Sequence, residues 1–136
     1  MKRVLLDTNV YVDWLNTGLR EAVVVGPGFV RHLSTVVLME LEVGATTPAA
    51  KRAVKQLAVA FERADRIATP SPNAWRTASR VLRGLRDQGR EIRRSSLVHD
   101  VMIALTARDL GATLLTHDAS DYAAIRRHVD FSMTVV

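Results

Sequence analysis

No cysteine occurs anywhere in the 136 residues, which excludes a disulfide framework and any thiolate metal site and fits a reducing compartment. Lysine is scarce as well, standing only at positions 2, 51 and 55. Aspartyl-phosphate chemistry after a first strand needs a lysine near the end of a later strand, or a second Asp two residues after the first. The chain has neither, because position 9 is Asn9, so phosphotransfer receivers and aspartyl-phosphate phosphatases are set aside. Long apolar runs are also missing; none approaches the roughly 18 residues of a membrane span. Lys2 and Arg3 precede a short apolar stretch, but Asp7 interrupts it after three residues and no small-residue cleavage site follows. The expectation is a soluble, cytoplasmic protein with no membrane partner.

What is present is apolar surface and arginine. Hydrophobic residues make up 48% of the chain, enough for one core, and a single domain over residues 1–136 is expected. The formal net charge is +5, and arginine, whose planar fork suits phosphate, supplies most of the positive charge. Val4-Leu5-Leu6 reads as a buried strand ending at Asp7, followed by a capped helix through Leu15. His32 to Thr35 reads as a strand leading into a helix over 36–46. Pro48 opens a helix through Ala64, Arg66 to Thr69 forms a short strand, and 73–88 is helical although Gly84 weakens the pattern. A polar loop covers 89–96. A strongly apolar helix runs from Ser96 to Leu110 and ends at Gly111, the expected C-cap. Ala112 to Thr116 is a strand, Ala119 to Arg127 a helix and Phe131 to Val136 a last strand; the segment 18–32 carries no clear signal. Short apolar strands alternating with helices imply an α/β fold with a mainly parallel sheet covered on both faces.

Four carboxylates stand in unfavourable places. Asp7 and Asp118 each follow a strand, at the end where open α/β sheets bind ligands. Either residue alone also reads as a turn or N-cap. Glu40 falls among Val36, Val37, Leu41 and Gly44 on the apolar face of its helix, whereas Glu42 points the other way. A buried carboxylate needs a cation, a hydrogen-bond network or a proton; a salt bridge to a buried Arg is the structural alternative. Asp100 shares a face with Ile103, Ala104 and Ala107, and as a first-turn acid it also complements the helix dipole. Brought together, the four would raise one another's pKa unless a cation lay among them. Oxygen-only donors favour Mg²⁺ or Mn²⁺ over Zn²⁺. His99 and His117 lack metal-ligand spacing and read as structural.

Taken in order, Leu5-Leu6-Asp7-Thr8-Asn9, Glu40-Leu41 with Gly44, Asp100 with Ile103-Ala104 and Ala107, Leu115-Thr116-His117-Asp118 and Asp121-Tyr122 resemble the PIN domains, and within them the VapC toxins. The match covers nearly the whole chain, with Tyr122 where the family often has Phe. The resemblance implies a PIN-like α/β/α sandwich and a Mg²⁺- or Mn²⁺-dependent endoribonuclease acting on structured RNA. It also implies a homodimer and a small cognate antitoxin that occupies the active-site groove. Asp7, Glu40, Asp100 and Asp118 would be the catalytic and metal-binding acids. Thr8, Asn9 and Thr116 would be supporting polar residues, and Asp121 an accessory acid. A non-catalytic RNA-binding or scaffold module is the rival reading, which the loss of an acid would favour.

The basic residues have a pattern of their own. Arg76, Arg80, Arg83, Arg86, Arg90, Arg93 and Arg94 recur at spacings of three and four. They read either as a solvated face or as an RNA contact, for which Arg83, Arg86 and Arg90 are the candidates. Trp14 and Trp75 read as packing.

Overall fold

Val4, Leu5 and Leu6 are completely buried in β1 (Lys2–Leu6), the middle strand of the sheet. A central parallel strand is covered on both faces, which is why its sequence is a continuous apolar run rather than an alternating one. In the computed structural model, which describes residues 1–136, β1 pairs with β2 (Phe29–Ser34) on one side and β4 (Thr113–Thr116) on the other. Leu5 lies in register with His32 and with Leu114. The edge strands β3 (Ile67–Ala68) and β5 (Ser132–Val135) complete an all-parallel sheet of order β3-β2-β1-β4-β5.

Seven helices, α1 (Thr8–Thr17), α2 (Glu21–Val24), α3 (Thr35–Gly44), α4 (Pro48–Arg63), α5 (Pro72–Asp87), α6 (Ser95–Leu110) and α7 (Ser120–Ile125), connect the strands. From β1 the chain steps to β2 and β3 on one side, then returns to β4 and β5 on the other. Right-handed crossovers taken in opposite directions put their helices on opposite faces. Accordingly α1 packs with α2 and α3, and α3 with α4, while α5, α6 and α7 pack with one another. The α/β sandwich expected from the sequence is thus present. Its topological switch lies between the carboxyl ends of β1 and β4.

Local chemistry explains the boundaries. Ser34, Thr47 and Ser71 cap α3, α4 and α5 by accepting from the backbone N–H groups of Val36, Ala50 and Ala74, and Pro48 and Pro72 occupy first turns. Gly111 ends α6 in the left-handed conformation at φ 63°. Two elements depart from the sequence expectation. The short α2 lies in the segment without a signal; Arg31, from β2, closes it by donating to the carbonyls of Val23 at 2.7 Å and Gly26 at 2.6 Å. Helix α5 passes through Gly84 unbroken, and a Cβ there would lie 2.5 Å from the His128 ring. The missing side chain is a packing requirement, not a helix stop.

Candidate active site

Asp7 is carried to the switch point by the last rung of the sheet, its N–H donating to the Leu115 carbonyl at 2.9 Å. It is the N-cap of α1, accepting from the Thr8 N–H at 2.8 Å, so the bland reading of this residue is realised. That bond uses one carboxylate oxygen. The other accepts from the Thr116 hydroxyl at 2.9 Å, inside a residue only 5% exposed. Burial raises the Asp7 pKa. The bonds from Thr116, Thr8 and Tyr122 oppose the rise, and the charge of Glu40 adds to it.

Glu40 reaches the same place from α3. Its carboxylate accepts from the Thr8 hydroxyl at 2.7 Å and lies 3.4 Å from His99 Nδ1. Asp100 comes from α6 and accepts from the Tyr122 hydroxyl at 3.3 Å. Its pKa is pushed up to about 7 by burial first, then by the charges of Asp7, Asp121 and Glu40, with the Tyr122 bond opposing. Each of the three acids is therefore held by one hydroxyl, from Thr116, Thr8 and Tyr122. Asp7 and Asp100 enter no ion pair, and the nearest positive candidate to Glu40 is His99.

The other two acids behave differently. Asp121 lies in the first turn of α7, 19% exposed, and is clamped by Arg90 at 2.9 Å and Arg94 at 2.8 Å. Its charge is felt at Asp100. Asp118 is exposed and turned toward Ser120, whose N–H it accepts at 3.0 Å. The backbone and hydroxyl of Ser120 hold its pKa below the ordinary value, with a smaller contribution from His117. The structure thus gathers Asp7, Glu40 and Asp100 with Asp121 at their edge. The Asp118 carboxylate is not among the charges felt at Asp7 or Asp100.

A polar web supports this crevice. The Thr116 hydroxyl that donates to Asp7 accepts from the Asn9 amide and the Asp118 N–H, both at 3.2 Å, and Asn9 also accepts from the His117 N–H at 3.3 Å. Thr8 and Thr116 therefore hold Glu40 and Asp7 directly, and Asn9 holds Thr116. Beside them His117 Nδ1 lies 2.6 Å from Asp13, which Arg20 also contacts at 2.6 Å. Sequence reasoning missed Tyr122 and His99 as neighbours of the acids. For Tyr122 the signal was its hydroxyl, in a position where the resembling family often carries Phe.

No three His, Asp or Glu side chains already stand as an ion cage. The donor chemistry nonetheless fits a hard divalent ion: oxygen donors, partly desolvated, with the pKa values of Asp7 and Asp100 raised by burial and by neighbouring carboxylate charge, and no Arg or Lys paired with them. Glu40 also lines an open, mostly apolar groove of about 500 Å³ between α1, α3 and α4, with Val12, Leu15, Leu41 and Ala53. Of the arginine stripe, Arg83 projects from the exposed side of α5, Arg86 lies 3.5 Å from Asp87, and Arg90 turns to Asp121. Trp14 packs on the core, and Trp75 is 55% exposed.

Comparison with known proteins agrees with the fold. A family model described as PIN domain matches residues 4–127. Among solved structures, the chain is similar to VapBC-1 from nontypeable Haemophilus influenzae, at 22% identity and TM-score 0.71, covering 98% of this chain and 97% of that one. It is similar to VapBC2 from Rickettsia felis bound to a promoter DNA fragment, at 20% identity and TM-score 0.69, with 98% of both chains covered. VapBC-5 from Mycobacterium tuberculosis, a member of the VapBC family of toxin-antitoxin systems, is similar at 26% identity and TM-score 0.67 over 100% of both chains. No curated protein sequence matches the chain.

Proposed function

The chain belongs to the PIN domain family, and from that membership we propose that it is a Mg²⁺- or Mn²⁺-dependent endoribonuclease, the toxin of a toxin-antitoxin pair. PIN domains are generally nucleases that use divalent ions. One observation carries the reading furthest: Asp7, Glu40 and Asp100 converge at the sheet's switch point with hydroxyl partners but no paired Arg or Lys.

Asp7 and Asp100 are assigned as the principal ion ligands, with Glu40 completing the set and Asp118 serving an ion or its water from the rim. When bound, the ion supplies positive charge to the scissile phosphodiester and lowers the pKa of water. The chain's own residues do the rest. Thr116 and Thr8 orient Asp7 and Glu40 by donating to them, and Asn9 holds Thr116 in place. Tyr122, whose own pKa is raised by burial and by the nearby carboxylates, stays protonated and donates to Asp100. In the metal-free site the Asp100 carboxyl, pushed up to about 7, is divided between its protonated and ionised forms near neutrality. Asp121, neutralised by Arg90 and Arg94, shapes the charge around Asp100 as an accessory acid.

The substrate is proposed to be structured RNA cut at exposed loops, because a chain of this size offers few base-reading groups. Solved neighbours are described as VapBC toxin-antitoxin complexes, which supports a small cognate antitoxin as partner. The groove beside Glu40 is the proposed dock for it, with a homodimer as the working assembly. No helix is long and apolar enough to cross a membrane, and a cytoplasmic setting is proposed. The test is incubation with total cellular RNA, mapping new ends with and without EDTA. Cuts at a few loops that vanish with EDTA support the reading. Cleavage that survives EDTA, or falls evenly on any strand, overturns it.

A further inference from the structure

A second charged feature lies away from the acids. Arg80 of α5, Arg108 near the end of α6, and Arg126 and Arg127 after α7 line one open cavity of about 450 Å³, together with His128, Val129 and Asp130. Of the four arginines only Arg108 is ion-paired, to Asp109 at 3.0 Å, and Asp130 brings a single carboxylate to the lining. Arg80 meets the His128 carbonyl at 2.9 Å, which fixes its direction without cancelling its charge. The Arg126 guanidinium lies 5.9 Å from the centre of the Phe131 ring, and Arg127 has no partner. Crowded guanidinium groups repel one another, so the cluster does not repay its cost through ion pairing within the chain. Planar forks converging on a solvent-open recess are suited to phosphate.

Its position relative to the acids is set by α7. Asp121, at the edge of the acid crevice, opens that helix, and Arg126 and Arg127 follow its last residue, Ile125, so one short helix joins the two features. On the adjoining face of α5, Arg76, Arg80 and Arg83 recur at helical spacing opposite the buried stripe of Ala74, Ala78, Val81 and Leu85. Arg90 and Arg94 continue the positive charge to Asp121. Neither Arg108, Arg126 nor Arg127 belongs to the arginine pattern seen in the sequence; tertiary structure alone brings them to Arg80.

We propose that this pocket is a phosphate-binding exosite that grips the RNA backbone outside the cut site. The proposal rests on the nuclease reading for its substrate, but the pocket's existence is independent of catalysis. An acid-lined crevice repels a polyanion, and a basic site outside it offsets that repulsion and sets the strand's direction.

The test uses Arg126→Gln/Arg127→Gln, two exposed changes, on an Asp7→Asn background so that the probe stays intact. Binding of a labelled RNA hairpin is followed by anisotropy over a salt series. The double variant is expected to bind about tenfold more weakly and to lower the slope of log affinity against log salt by about 1.4 to 1.8. Arg126→Lys/Arg127→Lys should restore most of the slope. With Asp7 intact, cleavage of a reporter too short to reach the pocket should be unchanged. An unaltered slope overturns the exosite while leaving the nuclease reading in place, as does equal slowing of the short reporter. An equal loss of affinity for duplex DNA overturns the assignment to RNA. A chain that binds the hairpin through these arginines but cuts nothing supports the exosite and removes the nuclease reading.

Discussion

Helices α5 and α6 are each sixteen residues long and lie against one another, yet they treat charge in opposite ways. Helix α5 buries one stripe, Ala74, Ala78, Val81 and Leu85, and gives its other faces to arginines in water. Helix α6 is buried on every side from Val101 to Ala107, and Asp100 sits at the head of that stretch without an ion-pair partner. A solvated arginine costs the fold almost nothing. A carboxylate forced toward neutrality by burial and by its neighbours is expensive, and its presence on the more apolar helix asks for a chemical reason.

The largest effect should come from the costly charge. Asp7→Asn and Asp100→Asn are each expected to lower RNA cleavage on the order of 10³-fold, with the fold retained by circular dichroism. Near-normal turnover in either variant would make that buried acid a structural residue and erase the contrast between the helices. Next comes packing. Leu105→Ala on α6 should cost about 2 to 5 kcal/mol in denaturant unfolding, because the side chain is wholly buried and its removal leaves a cavity. A loss no larger than that of a surface change would mean that α6 is not the core helix.

A smaller effect is the pH dependence of the metal-free protein. Asp100 titrates near 7 when folded and near 3.8 when unfolded, so the stability gained by keeping it neutral is complete below about pH 3.8. It erodes as pH rises and is gone above about 7; the raised pKa of Asp7 acts with the same sign. Asp100→Asn should therefore raise the melting temperature more at about pH 8 than at about pH 5. An equal gain at both would place the carboxyl outside a charge-sensitive site. Smallest of all, Arg83→Gln on α5 should change stability by less than about 0.5 kcal/mol. A larger loss in thermal unfolding would show that this arginine is not a solvated one.

The same contrast explains what could be read in advance. Strands and helices were legible where an apolar run met local punctuation, as at Asp7, Pro48 and Gly111. Helix α2 was not, because its closing donors come from Arg31 on the next strand. Gly84 looked like a weak point because the His128 ring that requires it lies far along the chain. Asp7, Glu40 and Asp100 stood out as acids among apolar neighbours. The resemblance ranks Asp118 as a site acid and Asp121 as an accessory one; both follow β4, and the fold has Asp118 accept from Ser120 while the charge of Asp121 is felt at Asp100. The Tyr122 hydroxyl was hidden, since residue type does not reveal where a phenol points.

The central claim is that Asp7, Glu40 and Asp100 form a site for a hard divalent ion. Calorimetric titration of the purified protein with Mn²⁺ tests it most directly, run in two buffers of different ionisation enthalpy at near-neutral pH. The account predicts saturable binding with proton release from the part-protonated Asp100 carboxyl, weakened on the order of tenfold or more in both Asp7→Asn and Asp100→Asn. Binding of equal affinity in the unaltered chain and both variants would contradict it.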